Sequence, residues 1–180
     1  NDLEKDLNKR IRKMKKQIKL ISDFNLEAFY NFLSQKVNTK VYKIQKPNFG
    51  LFYEKCFELI KKKEKNHIIF ICSRAEGVIN NFNKLVINER VKLNNLYQEV
   101  TQYTDILKQL SKKCDYLVNI SWILPKNERG KYLNDYVDEY GLTNNINKMN
   151  TKIAKEMKLV PNFKFINFDF WMKQEDSSFN

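Results

Sequence analysis

The hydrophobic pattern of the chain is clearest between Tyr116 and Leu124, where a nearly continuous apolar and β-prone run predicts a strand covered on both faces. Pro125 follows the run and predicts its end, because a proline has no N–H to donate to a neighbouring strand. The polar stretch Lys126–Gly130 is therefore expected just beyond the carboxyl end of a strand. In open α/β sheets, ligands bind at that position.

Four other segments have strand patterns, and segments of helical periodicity separate all five strands. The other predicted strands are Ile18–Ser22, Thr39–Gln45, His67–Cys72 and Asn162–Asn167. The first predicted helix follows Asn25 as its cap and has Leu26, Phe29, Tyr30 and Leu33 on one side. The second covers Leu51–Lys63, and the third is one long helix over 84–113. The fourth is capped by Thr143 or Asn144 and has Ile146, Met149, Ile153 and Met157 facing the core. This alternation predicts an α/β fold, a doubly wound three-layer α/β/α sandwich around a five-stranded parallel sheet.

The exit loops of the five predicted strands share one edge of such a sheet. They are Ser22–Asn25, Pro47–Gly50, Ser73–Gly77, Lys126–Gly130 and Asn167–Trp171. Because ligands of open α/β sheets bind beyond the carboxyl ends of the strands, we expect any site at this edge.

Charge and size bound the class of protein. The 180 residues have 42% hydrophobic content and a net charge of +12, which indicates one folded domain with a basic surface. Residues 1–19 hold eight basic and three acidic residues, and an apolar stripe over 2–15 predicts an amphipathic helix. We therefore divide the chain into a basic N-terminal helix or extension, 1–13, and a single domain, 14–180. Because no base-stacking motif accompanies the charge, a solvated surface is favoured over a nucleic-acid or membrane-binding face.

The cysteines and the apolar runs indicate a cytoplasmic protein. Cys56, Cys72 and Cys114 are odd in number and share no CxxC spacing, which favours reduced thiols over a disulfide framework or a zinc site. No apolar run reaches the roughly 18 residues of a membrane span.

Few residues of the predicted edge carry recognisable chemistry. No Gly-rich phosphate loop and no Asp-x-Asp metal pair is present, so we expect neither a cofactor nor a metal. The single histidine, His67, begins a strand at the opposite edge, and we expect it to be solvated rather than catalytic. Cys72 then lacks a base, and we expect it to be a small core residue.

Several side chains at the edge are nevertheless suited to binding. Arg74 and Glu76 pair with each other or position an anion, and Arg129 can contact an anionic group through two N–H donors. Trp122 and Trp171 supply apolar area, either in the core or as a pocket wall.

Five segments of the chain resemble the N-terminal domain of FkbH-like proteins. They are SWILPKNERG (Ser121–Gly130), LTNNINKMNTKIA (Leu142–Ala154), the last strand followed by Trp171, Ile18–Leu26, and SRAEGVI (Ser73–Ile79). The resemblance covers nearly all of residues 14–172. It implies an SGNH-hydrolase-like, flavodoxin-like sandwich, followed in the full-length protein by a haloacid-dehalogenase-type (HAD-type) phosphatase domain.

The resemblance also implies partners. Family members load a glyceryl unit from a phosphorylated glycerate onto an acyl carrier protein, or act in related polyketide and surface-polysaccharide pathways. From their position at the predicted edge, we expect the substrate-binding residues to be Asn25, Ser73, Arg74, Glu76, Trp122, Arg129, Asn167 and Trp171.

The chain departs from the hydrolytic pattern of SGNH enzymes. Those enzymes need a serine after the first strand and Asp-x-x-His after the last one. Here the first exit offers only Ser22 and Asp23 as catalytic candidates, and the last exit, Asn167–Phe170, has no histidine. We therefore expect a non-hydrolytic domain that positions a carrier-bound or phosphorylated substrate for a partner domain. An active SGNH esterase with an unrecognised base is the alternative, and a basic nucleic-acid or membrane-surface binder is a third.

Overall fold

A computed structural model of the chain describes residues 15–47, 50–62, 67–124 and 133–168. Its centre is a five-stranded sheet in which every strand pair is parallel, with the order β2-β1-β3-β4-β5. The strands are β1 (Lys16–Ser22), β2 (Tyr42–Gln45), β3 (His67–Cys72), β4 (Tyr116–Ile120) and β5 (Phe163–Ile166). The predicted five-stranded parallel α/β sheet is confirmed.

Helices connect the strands in sequence order, as a parallel sheet requires. They are α1 (Glu27–Lys36), α2 (Phe52–Lys61), α3 (Ala75–Val78), α4 (Asn80–Val86), α5 (Leu93–Ser111) and α6 (Leu142–Met157), with a 3₁₀ turn at Leu133–Tyr136.

The sheet buries both of its faces because successive side chains of a strand alternate sides. Ile69 and Ile71 of β3 join the large core formed with α2, α5 and α6, whereas Ile68 and Phe70 join a smaller cluster beneath α1. Helices on both faces give the three-layer sandwich that the sequence predicts. The predicted inward residues of α6 belong to the large core.

The predicted long helix over 84–113 is wrong at its beginning. Helix α4 ends at Val86, and α5 begins only at Leu93. Asn88 has a positive φ of 64°, and the N–H groups of Asn88 and Glu89 bond to the carbonyls of Leu85 and Lys84. These two bonds form a Schellman motif, which ends a helix.

The central strand ends four residues before the predicted end at Leu124. Ser121 makes the last ladder contact, through its N–H to the carbonyl of Ile166. At Trp122 the backbone bonds instead to the side chain of Asn150 on α6, which accepts its N–H at 3.0 Å and donates to its carbonyl at 2.8 Å. Backbone groups satisfied by a side chain are no longer available to a neighbouring strand.

The predicted caps fared differently. The N-cap of α1 is Leu26 rather than the predicted Asn25, although the side chain of Asn25 accepts the N–H of Glu27, the first residue of the helix, at 2.8 Å. Neither Thr143 nor Asn144 caps α6, which begins at Leu142. Its first N–H groups, those of Leu142 and Thr143, donate to the carboxylate of Asp135 in the 3₁₀ turn. The cap prediction failed because the capping side chain lies seven residues upstream.

Two smaller predictions of the sequence concern β2 and the membrane. Strand β2 begins at Tyr42 rather than at Thr39, and its inward residues are Tyr42 and Ile44, whereas Val41 is 47% exposed. Within the described ranges, no helix is both long and apolar enough to cross a bilayer. The predicted amphipathic helix over 2–15 falls almost wholly outside these ranges.

Candidate functional site

The carboxyl ends of β1 and β3 lie side by side, since Ser22 pairs with Cys72 in the sheet register. The first residue at this edge, Ser22, is 1% exposed. Its hydroxyl accepts the N–H of Phe24 at 3.0 Å and so stabilises the turn that leaves β1. This bond uses one of the two lone pairs of the hydroxyl oxygen.

Asp23 joins the exit loop of β1 to that of β3. One carboxylate oxygen accepts the backbone N–H of Arg74 at 2.9 Å, and the other accepts its Nε–H at 3.1 Å. The carboxylate lies directly against Gly77, where a Cβ atom would come within 1.8 Å of it. Only glycine at this position permits such a close approach.

Arg74 lies between two carboxylates and an aromatic ring. Its Nε is 3.1 Å from Asp23 and 3.9 Å from Glu76, and its guanidinium carbon is 5.6 Å from the centre of the Phe24 ring. The sequence left open whether Arg74 pairs with Glu76 or positions an anion, and the structure shows that Asp23 is the nearer partner. Two carboxylates around one guanidinium leave this cluster with a net charge of −1.

The guanidinium of Arg74 keeps part of its binding capacity. Its side chain is 54% exposed, and no acceptor among the described residues contacts its two terminal amino groups. Two parallel N–H donors of this kind suit a carboxylate or a pair of carbonyl oxygens.

A shallow cleft of about 420 Å³ opens beside Arg74. Its lining residues are Asp23, Gly50, Leu51, Phe52, Tyr53, Glu54, Arg74 and Gly77. Leu51 is 50% exposed and Tyr53 36%, so the rim offers apolar area to a ligand. Burial raises the pKa of Tyr53 to about 12, and the Tyr53 hydroxyl donates to the carbonyl of Val78. The cleft therefore combines an apolar rim with the charged Asp23–Arg74 pair.

A buried polar network lies beneath this edge. The hydroxyl of Ser73 accepts the indole N–H of Trp122 at 3.1 Å and lies 3.4 Å from the hydroxyl of Tyr103. The Tyr103 hydroxyl donates to the side-chain Oδ1 of Asn119 at 2.8 Å. Burial raises the pKa of Tyr103, so its hydroxyl remains a donor at neutral pH. The side-chain nitrogen of Asn119, Nδ2, is buried and has no hydrogen-bond partner among the described residues. The network fixes Ser73 rather than activating it, because it contains no base.

Trp122 lies in the core. Only 2% of it is exposed, and its ring packs 5.0 Å from that of Tyr103. Of the two interpretations that the sequence left open, core or pocket wall, the structure places the ring in the core. The indole N–H of Trp122 is connected to the edge by its hydrogen bond to the Ser73 hydroxyl.

The remaining predicted site residues are spread around the edge. Asn25 and Asn167 are exposed, and Phe168 next to Asn167 is held by its N–H bond to the hydroxyl of Ser121 at 3.0 Å. Arg129 and Trp171 lie outside the described residues. Their part in a site stays a prediction.

The single histidine is far from this edge. His67 is at the amino end of β3, five residues or about 17 Å of extended strand before Cys72. The expectation that it is solvated is wrong, since it is 2% exposed. Cys72 is a core residue as predicted, and burial raises the pKa of its thiol to about 12.

Sequence reasoning missed Gly77, Tyr103 and Asn119. Asn119 is the one amide inside the apolar run of β4, a signal that marks a buried hydrogen bond. Gly77 gave a weaker signal, as one of four glycines in the chain. Tyr103 belongs to the apolar stripe of α5, and nothing in its sequence context distinguishes it from core packing.

No protein-family model matches the chain, and no curated protein matches it either. Among solved structures it is similar to the N-terminal part of the protein BF1531 from Bacteroides fragilis, whose crystal structure contains a phosphatase domain complexed with Mg. The TM-score is 0.61 at 10% sequence identity, and the match covers 85% of this chain and 40% of that one. The chain therefore spans less than half of that protein's crystallised part. At this identity the likeness shows the fold alone.

Proposed function

We propose that the chain is a non-hydrolytic SGNH-like domain of an FkbH-like protein. In this proposal it positions a carrier-protein-bound or phosphorylated substrate for a HAD-type catalytic domain that follows it in the full-length protein. The observation that carries the proposal is a ligand-accessible cleft at the carboxyl edge of the sheet, while the single histidine of the chain lies at the opposite end of β3 from Ser22.

Among the described residues, neither of the two catalytic candidates, Ser22 and Asp23, has the partners that hydrolysis requires. A serine nucleophile needs a base within hydrogen-bond reach, and the only histidine of the chain lies at the other end of β3. Asp23, the other catalytic candidate, already accepts two N–H groups of Arg74. The edge is built to hold a ligand rather than to cleave it.

The charges of the cleft favour the acyl end of a carrier-bound substrate over a phosphate. The cluster around Arg74 has a net charge of −1, which opposes a doubly charged group. A carbonyl or a single carboxylate can accept from the terminal amino groups of Arg74, while an alkyl chain covers the exposed Leu51 and Tyr53. We propose that Arg129 and Trp171 complete this site from the last two exit loops.

The structural likeness is compatible with a neighbouring phosphatase domain. The crystallised N-terminal part of BF1531 is described as containing a phosphatase domain, and this chain is similar to 40% of that part. The order of an SGNH-like domain followed by a phosphatase domain is the one that the sequence resemblance implies.

Hydrolysis and binding together test the proposal. The chain should cleave p-nitrophenyl acetate no faster than its Ser22→Ala variant, because no base activates the hydroxyl. Acetyl-loaded acyl carrier protein should bind, and Arg74→Ala should weaken the binding by about tenfold, or about 1.4 kcal/mol. Arg90→Ala, which removes an arginine from a different surface cleft, is the matched control and should leave the affinity unchanged.

Three outcomes contradict the proposal. Ester cleavage that disappears in Ser22→Ala would establish an esterase. Failure of both acetyl-loaded carrier protein and 3-phosphoglycerate to bind would remove the positioning role. Equal losses in Arg74→Ala and Arg90→Ala would show that the carrier protein recognises net charge and not this cleft.

A further inference from the structure

The two faces of the sheet differ in how completely helices cover them. Most apolar members of the large core are buried, whereas most members of the smaller cluster beneath α1 are only partly buried. Helix α1 itself has no buried residue, while α2, α5 and α6 each bury several. The described part of the chain therefore covers the α1 face of the sheet incompletely.

One helix is too narrow to cover this face. Five strands spaced about 4.8 Å apart form a sheet roughly 19 Å wide, and packed helices lie about 8–10 Å apart, so each face has room for two. Every described helix other than α1 contributes its apolar residues to the large core. The cluster beneath α1 includes Ile44 of β2, Ile18 of β1 and Phe70 of β3, so the remaining space lies over β4 and β5.

A groove beside α1 marks this space. Its floor includes Phe70 of β3 and Tyr116 of β4, which face the same side because Tyr116 pairs with Ile68, two residues before Phe70. The Phe29 ring of α1 is 5.9 Å from the Phe70 ring, so this flank of α1 is turned toward β3. Phe32 lies on the same flank, three residues further along the helix. Phe32 is 53% exposed and Tyr116 48%, so the wall and the floor of the groove both present apolar rings.

The segment that precedes β1 has a matching apolar surface. Leu3, Leu7, Ile11 and Met14 recur at helical spacing, and the opposite side of the predicted helix is basic. A helix of about 13 residues is only marginally stable by itself in water. Its apolar stripe therefore needs a surface of the kind that the groove offers.

The point at which the chain enters β1 lets this segment reach the groove. The chain bends at Lys15, whose ammonium donates to the Thr39 carbonyl at 2.7 Å, and β1 begins at Lys16. The groove lies two strand spacings from β1 and roughly 10 Å above the sheet, a distance of about 14 Å. The five residues from Ile11 to Lys16 span up to about 17 Å.

The lengths agree as well. A helix of 13 residues is about 20 Å long, and strands of five to seven residues such as β4 and β1 are about 16–23 Å long. A helix that precedes β1 and runs antiparallel to it would therefore cover the groove from one edge of the sheet to the other.

We infer that residues 2–14 form a helix that packs into the groove between α1 and β4. Residues 169–180 fit less well, because their apolar residues Phe170–Met172 are consecutive and a polar run, Lys173–Ser178, follows them without a helical stripe. A second copy of the chain also fits less well, since a short tether gives the chain's own segment a much higher effective concentration. The folded domain then includes the residues 1–13 that the sequence division set apart.

Melting temperatures of alanine variants test the packing. Leu7→Ala and Ile11→Ala each remove a side chain of the apolar stripe, and each should lower the melting temperature of the full chain by roughly 5 °C or more. Lys9→Ala is the matched control, because it changes helix preference to a similar degree on the basic side. It should shift the melting temperature by about 1 °C or less. Equal shifts in Leu7→Ala and Lys9→Ala would overturn the inference.

Nuclear Overhauser effects in the full chain identify what occupies the groove. We expect contacts from the methyl groups of Leu7 and Ile11 to the rings of Phe70 and Tyr116, within one molecule. Contacts that appear only between labelled and unlabelled molecules would identify a second copy instead, and contacts from Trp171 to these rings would identify the C-terminal segment. Either result, or the absence of any contact to the two rings, would overturn the inference.

Discussion

Asp23 shows how much of the candidate site depends on single atoms. Its carboxylate accepts two N–H groups of Arg74, and it can do so only because residue 77 has no side chain. The contact ties the exit loops of β1 and β3 together at the position where the cleft opens. The observed geometry of this contact therefore depends on all three residues, Asp23, Arg74 and Gly77.

Gly77→Ala should destabilise the protein by about 1–3 kcal/mol, the usual cost of an atom forced into a packed site. The added Cβ would lie 1.8 Å from the Asp23 carboxylate. The carboxylate would have to move away and would lose its contacts to Arg74. Urea denaturation followed by circular dichroism measures the loss.

A double variant separates this mechanism from the helix-forming preference of alanine. In Gly77→Ala/Asp23→Ala the clash is removed, so the combined cost should fall below the sum of the single costs. Strict additivity would show that Asp23 and Gly77 act independently and that the close approach is not what makes glycine necessary.

At the scale of elements, α5 and α6 are joined by a charged cluster at the surface of the core. The carboxylate of Glu156 on α6 accepts from the Thr104 hydroxyl and lies 3.4 Å from the ammonium of Lys108, both on α5. Lys152 on α6 contacts the same carboxylate at 2.7 Å. Burial by itself acts to raise the pKa of Glu156, but the bonds from Lys152 and Thr104 and the nearby charges lower it below its usual value.

Glu156→Gln should therefore destabilise the protein in a pH-dependent way. A carboxylate with a lowered pKa contributes stability that is present above its unfolded-state pKa, near 4.3, and is lost as the pH falls through the folded-state pKa. We expect the variant to be less stable than the wild type by about 1 kcal/mol near neutral pH. The difference should shrink near pH 3.

Urea denaturation at both pH values is the measurement, and Glu58→Gln is the control because that side chain is 50% exposed and, among the described residues, forms an ion pair with Lys55 alone. A difference between wild type and Glu156→Gln that stays constant with pH would assign the effect to packing rather than to charge.

At the scale of the whole molecule, the two hydrophobic clusters enclose every cysteine of the chain. Cys56 and Cys114 belong to the large core and Cys72 to the smaller cluster, and burial raises the pKa of each thiol to about 12. Because the thiolate is the reactive form, the native fold should suppress all three.

Native protein should react with Ellman's reagent at about pH 8 at least on the order of a hundredfold more slowly than protein unfolded in urea. A Lys112→Cys variant places a thiol on the surface and should add one fast-reacting equivalent. A wild-type thiol that reacts as fast as this added one would show that one of the clusters opens readily.

The candidate site was predictable only in part. The exit loops of β1 and β3 were located from the ends of apolar runs, and Ser22, Asp23, Ser73 and Arg74 do lie there. The partnership of Asp23 with Arg74 could not be read from the chain, since 51 residues separate them. Trp122 was ambiguous for the same reason, because only the position of α5 decides that its ring packs against Tyr103.

The sequence by itself determined the order of the five strands, the helical nature of the segments between them, and the edge at which the strands end, although it did not separate α3 and α4 from α5. It could do so because those features follow from local patterns: apolar runs, helical periodicity, and the few residues that end a strand or a helix. The tertiary structure alone decided where β4 leaves the sheet, what caps α6, and which charges meet. Each of these depends on a side chain from a distant element, such as Asn150 at Trp122 or Asp23 at Arg74, and no local pattern records the approach of such a neighbour.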